Sequence, residues 1–292
     1  MHHKIRAAAA ACALTLAACA STPAHRESAA PQADPRLEIQ AQAFESFMRR
    51  GAAISPAFAG PAGVTDALAA GAAYDPVALE SGMIAYVAVA ALQEPRFVAG
   101  LRASARGRAR ADLAQRLVAR PDLIAELPGA AAAEARASAA LSRQGEALGA
   151  DGRRVKAASY GVQHQGWANT KVADPRGRLL RVKQIANAGY RPMGDDRALL
   201  YRAVAQGPIH GGPATPVVQR GVALAALSVL GDRDGGQNLA SEPKSAMCLR
   251  LAKLNFHQCL ASAGPYYEDI YCLGQHAMID PGKCVSEAGG TR

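Results

Sequence analysis

Four of the chain's six cysteines lie close to its C-terminal end, at Cys248, Cys259, Cys272 and Cys284. Their placement constrains the fold more than any other feature. Gly264-Pro265 sits between the inner two and is the strongest helix breaker in the stretch. The midpoint of Cys259 and Cys272 is 265.5, and that of Cys248 and Cys284 is 266. Both pairs are therefore centred on the turn, and in a helical hairpin residues equidistant from the turn lie side by side. Four oxidised cysteines allow three connectivities. The symmetry favours the nested one, Cys259–Cys272 inside Cys248–Cys284. Cys248 and Cys259 are eleven residues apart, about three helical turns with roughly 20° of drift, so both face the same neighbour. Cys272 and Cys284 are twelve apart, a drift of about 120°. Pro281-Gly282 accommodates this if the second helix ends near Asp280 and Cys284 folds back from a tail.

A zinc site fits the same residues less well, because structural zinc ligands come in close pairs. His257 points about 160° away from Cys259 on the first arm, while His276 stays near the Cys272 face of the second. The two do not converge, so no metal is expected. No C-x-x-C pair marks a redox centre. The arrangement is similar to the coiled-coil–helix hairpins with paired C-x9-C motifs, although ten and eleven residues stand here between the cysteines. That resemblance implies nested bonding and nothing about function.

The N-terminal sequence suggests the compartment. Lys4 and Arg6 precede an apolar run over residues 7–18, too short for the ~20 residues that span a bilayer and typical of a secretory signal. It ends Leu16-Ala17-Ala18-Cys19. This resembles the lipobox of bacterial lipoproteins, in which the cysteine is acylated and the preceding peptide removed. The resemblance implies a lipidated Cys19 as the first mature residue, a membrane partner reached through that lipid, and an oxidising compartment for the four remaining thiols. Ala20, in place of an aspartate, favours the outer membrane. Loss of Lys4 and Arg6 lowers the net charge from +9 to +7. A basic exported protein has lipid head groups, cell-wall polymers or acidic proteins as anionic partners, and no nucleic acid.

Residues 19–36 are small, polar and proline-bearing, and read as a tether. Residues 37–240 read as a helical domain and 241–292 as a helical hairpin packed on it. Strand-like alternation is missing, so the fold class is all-α, with nine to eleven helices. Leu37–Arg50 carries a broad apolar stripe. Residues 51–64, rich in Gly and Pro, read as loop. Asp75-Pro76 starts a helix that runs to about Gln93 and is apolar nearly all round, hence central. A short helix follows from Pro95, then Arg-rich helices over 101–120 interrupted near Gly107. Further helices are expected over 129–148, stopped by Gly149 and Gly152, over 153–173, over 179–188 and over 195–206. The last before the hairpin runs from Pro216 to Gly231.

Candidate sites are sparse. Tyr160, His164, Trp167 and Lys171 fall on one face if 153–173 is a single helix, a mixed stripe that can line a pocket. Arg102, Arg106 and Arg110 form a basic stripe suited to anionic head groups or an envelope partner. His210 lies in a Gly/Pro-rich loop before a helix start, but Pro208, Pro213 and Pro216 have no N–H for an anion cradle. Asp232–Gly236 departs from a calcium loop at positions five, six and twelve. Ser241-Glu242-Pro243-Lys244 matches S-x-x-K without its partner motifs. No motif implies a cofactor. The expected role is a binding or envelope-structural module rather than an enzyme. The alternatives are an envelope-acting enzyme using His164 or His210 as acid/base, and a carrier of an apolar ligand.

Overall fold

Proline opens seven of the α-helices, where its missing N–H costs nothing because first-turn donors have no intrahelical partner. The structure, a computed structural model, describes residues 33–105, 107–205, 214–232 and 234–290. Among these it is all-α, with thirteen α-helical segments and no strand. They are α1 (Pro35–Ala52), α2 (Pro61–Ala72), α3 (Pro76–Ala91), α4 (Pro95–Ser104), α5 (Arg108–Ala119), α6 (Ala130–Val162), α7 (Gly166–Asn169), α8 (Pro175–Asn187), α9 (Asp196–Ala205), α10 (Pro216–Leu230), α11 (Pro243–Ser262), α12 (Tyr266–Cys272) and α13 (Asp280–Gly289). Side chains cap the proline starts: Asp75 accepts from Val77 and Ala78 N–H, Asp174 from Gly177 N–H and Thr215 from Val218 N–H.

As its composition requires, α3 is buried nearly all round, packed among α1, α6, α10 and α11. Its Tyr86 ring lies 5.2 Å from Phe44 of α1, and its hydroxyl accepts from Gln144 Nε2 of α6 at 3.2 Å. One apolar cluster runs from α1 through α3, α6 and α10 into the hairpin. No single helix among the described residues is long and apolar enough to cross a membrane; α3 and α4 qualify only as a pair, bent by 87°.

Four sequence expectations are corrected. Residues 51–64 are not all loop, since α2 starts on Pro61 after Gly60. Gly149 and Gly152 do not stop a helix: α6 continues through them for 33 residues. Gly152, like Gly145 before it, permits contact with the C-terminal arm rather than a turn. A Cβ on Gly145 would stand 2.3 Å from the Ser286 nitrogen, and one on Gly152 2.7 Å from Met278 Cβ. Seen from the other side, a Cβ on Gly282 would meet Gly149 N at 2.7 Å and Gly145 O at 2.8 Å. The backbones of α6 and α13 thus touch where side chains would hold them apart. The third correction concerns 153–173, where α6 ends at Val162 and a turn separates it from the short α7.

The fourth lies in the hairpin. The disulfides are nested, Cys248–Cys284 with Cα atoms 5.8 Å apart and Cys259–Cys272 at 5.6 Å. The second arm does not end near Asp280, however. It runs on to Gly289, with a π-helical stretch over Leu273–Ile279 between α12 and α13. A π residue turns through fewer degrees than the ~100° of an α residue, so seven of them wind the arm back by roughly a third of a turn. That cancels the ~120° excess between Cys272 and Cys284 and brings both to the face of α11. Pro281 is accommodated within this arm.

The hairpin is fastened to the body at both ends. At its turn, Val172 N–H donates to Gly264 O at 2.9 Å, and Arg178 of α8 bonds Asp269, Leu260 O and Ala263 O. At its far end, Thr215 Oγ1 donates to Ala288 O at 2.5 Å and Ser138 Oγ to Gly289 O. Both hydroxyls donate to otherwise unmet carbonyls of the last turn of α13.

Candidate functional site

Among the described residues the sequence-based candidates do not come together at one place. Tyr160 is exposed on the last turn of α6, edge-on to Tyr271 with ring centroids 6.2 Å apart. His164 lies beyond the helix, exposed, and its Nε2 is 3.3 Å from Gln163 Nε2. Trp167 donates from Nε1 to Gln165 Oε1 at 2.6 Å and lays its ring against the core. Lys171 is exposed, and its backbone pairs with Pro265 at the hairpin turn. The break after Val162 scatters the presumed stripe, and its C-terminal half serves to hold the hairpin. Arg102 is exposed on α4. Arg110, on α5, bonds the Leu230 and Val229 carbonyls at the end of α10, where a cation satisfies unmet acceptors and opposes the helix dipole. Arg106, His210 and Cys19 lie outside the described residues.

The residues that do converge form a cleft between α1, α3 and the end of α8. Its volume is about 390 Å³, within the ~300–1,000 Å³ of small-molecule sites. Phe44 and Phe47 from α1, Ala78 and Leu79 from α3, and Ile185 and Ala186 from α8 supply apolar walls. Arg50 and Arg191 stand exposed at the margin. Gly189, at φ 70°, ends α8 in the left-handed conformation and turns the chain so that Tyr190 and Arg191 close one side. Tyr190 is fixed by Asp196, whose carboxylate accepts from its hydroxyl at 2.6 Å and from Arg49 at 2.9 Å. Arg50 spends its Nε on Ser46 O at 3.1 Å, and neither Arg50 nor Arg191 is salt-bridged to a carboxylate among the described residues.

Tyr74 lines the cleft and is itself almost fully buried. Its ring packs on Phe47 at 4.6 Å, and its hydroxyl has no hydrogen-bond partner. Behind it lies Lys253 of α11, 5 % exposed, with Nζ 4.0 Å above the Tyr74 ring. Lys253 Nζ donates to Ala72 O at 2.7 Å, the last carbonyl of α2. Burial away from any contacting carboxylate pushes its amine down to about 7, and burial pushes the Tyr74 phenol up. One turn on, burial lowers His257 to about 4, and its Nε2 has no partner. His276 instead bonds Asp280 at 2.7 Å. Among the described residues no three His, Cys, Asp or Glu side chains gather as metal ligands.

Sequence reading missed this cleft because its parts come from distant segments. The available signal was Phe44, Phe47 and Arg50 at helical spacing on α1, which places an arginine at the end of an aromatic stripe. A second, smaller pocket of about 230 Å³ lies on the other side of Ile185, over the buried Arg178–Asp269 pair. No family model, curated protein or solved structure matches the chain.

Proposed function

We propose that the protein is a lipid-anchored binding protein of the bacterial envelope. In this reading Cys19 holds it to the outer membrane on the periplasmic side, and the cleft between α1, α3 and α8 takes a small amphipathic ligand with an apolar body and an anionic head. The observation that carries the ligand class is the pairing of apolar walls, from Phe44 to Ile185, with Arg50 and Arg191 at the mouth. A charged head would meet two guanidinium groups there, while the body replaced water on aromatic and aliphatic surface. The lipobox resemblance and the nested disulfides support an exported location. An enzymatic role for His164 has less support, since among the described residues that ring meets Gln163 and no carboxylate.

Titration calorimetry with a medium-chain alkyl carboxylate and an alkyl phosphate tests the cleft. Binding of either is expected, weakened about tenfold or more in the double variant Arg50→Ala/Arg191→Ala and abolished by Ala78→Trp. Equal affinity in parent and variants would refute the assignment.

A further inference from the structure

The exposed apolar side chains of this protein are not scattered. Eight large ones are exposed among the described residues, and four belong to two helices that pack on each other: Leu180 on α8, and Met247, Leu251 and Leu254 on α11. These four are 48–59 % exposed. Met247, Leu251 and Leu254 stand at i, i+4 and i+7, one stripe along the outside of α11. The opposite side of that helix carries Leu249, Ala252, Phe256 and Leu260 into the core. An outward apolar stripe on a helix whose inward face is already satisfied has no role in holding the fold.

The charge of the same two helices has one sign. Between Pro243 and Ser262, α11 contains Lys244, Arg250 and Lys253 and no acid. Between Pro175 and Asn187, α8 contains Arg176, Arg178, Arg181 and Lys183 and again no acid. Arg178 and Lys253 are buried; the other five cations are exposed. Of the acids at the helix starts, Glu242 is turned onto the Lys244 and Ser245 N–H groups, while Asp174 caps with one oxygen and pairs with Arg181 at 3.8 Å through the other, leaving Lys244, Arg250, Arg176 and Lys183 as the cations of this face. Cations whose aliphatic stems lie along apolar side chains and whose heads reach outward suit an interface between hydrocarbon and anionic head groups.

The start of the described chain adds a direction. Asp34, Arg36 and Leu37 line one small cleft with Gly236, Gln237 and Ala240, so residues 33–37 lie close to the segment that leads into α11 at Pro243. The tether expected between Cys19 and the body therefore joins it at the start of α1, close to the 236–240 segment that precedes α11.

We propose that the outer face of α11, with the neighbouring Arg176, Leu180 and Lys183 of α8, lies on an anionic lipid surface and holds the body against the membrane. This is separate from the cleft and does not depend on what the cleft binds. The test uses residues 19–292 with Cys19→Ser, which retain the whole folded body and no acyl group. Sedimentation with phosphatidylcholine vesicles is compared with vesicles containing about a third phosphatidylglycerol. At least fivefold more protein should sediment with the anionic vesicles, and the excess should disappear in high salt. Met247→Asp/Leu254→Asp and Lys244→Glu/Arg250→Glu should each reduce sedimentation at least fivefold with unchanged circular dichroism melting. Met193→Asp, at an exposed methionine outside α8 and α11, should sediment like the parent. No sedimentation with anionic vesicles, equal sedimentation with both, or equal loss in the Met193→Asp control would each overturn the proposal. So would capture of a protein through this face without any vesicle binding.

Discussion

Lys253 is a buried cation with no carboxylate in contact among the described residues, and the charge of Asp75 offsets its burial only in part. Its Nζ touches a helix-end carbonyl and a tyrosine ring, and neither compensates for lost water as a carboxylate would. With the folded value near 7 and the free value at 10.5, the unfolded chain binds more protons than the folded one between those limits. Stability from this group is fully present above the free value, declines as pH falls, and is lost near 7. Lys253→Met is therefore expected to raise the urea midpoint at pH 7 and to flatten the climb in stability between pH 7 and 9.5; an unchanged slope would assign that climb to other groups. Arg178 and Asp269 present the opposite case. Both are at most 5 % exposed, and Arg178 also bonds two carbonyls at the hairpin turn. Burial still outweighs the arginine and pushes Asp269 up to about 6. Removing one partner of such a pair costs ~3–5 kcal/mol, whereas replacing both by apolar groups is often neutral. Arg178→Met should accordingly lose several kcal/mol in chemical denaturation, and Arg178→Met/Asp269→Leu should recover much of it, less the two carbonyl bonds.

Helices and hairpin show why some elements were legible and others were not. The proline starts and the Asp caps act within four residues, so α3, α4 and α10 could be read from sequence at their beginnings. The nested disulfides were legible because symmetry about Gly264-Pro265 is a property of spacing alone. The π-helical stretch was not, because nothing within Leu273–Ile279 announces a wider turn; only the twelve-residue cysteine spacing implied that the phase had to be reset. The glycines of α6 misled for a related reason. In isolation Gly149 and Gly152 read as stops, and their purpose is visible only when Gly274 and Gly282 arrive from the other end of the chain. A methyl group at this crossing has no room to relax, because both faces are backbone. Gly282→Ala is expected to cost ~1–3 kcal/mol, as overpacking does, and to lower the melting temperature by several degrees. Gly63→Ala, which meets nothing within 4 Å, should leave it within a degree or two.

At the scale of the whole molecule, the apolar cluster runs unbroken from α1 to α13, and the boundary expected at 240/241 coincides with no gap in it. The cleft escaped sequence reading on this scale. Phe44, Leu79, Ile185 and Arg191 become neighbours only after α1, α3 and α8 have packed, and no local pattern encodes that. The expected anchor belongs to this scale too. Cys19→Ser should move the protein from the membrane pellet to the soluble periplasmic fraction in salt sufficient to weaken surface charge contacts; continued pelleting would argue against lipid attachment. The backbone crossing between α6 and α13 also sets a time. Ser138 and Gly289, bonded across it, are 151 residues apart, so at ~5–20 residues per second the first emerges from synthesis roughly 8–30 s before the second. Throughout that interval the longest helix has no partner for its glycine face. The ten residues of α13 work as a latch, and a chain interrupted before Asp280 would be left open to proteases however completely its first two hundred residues had folded.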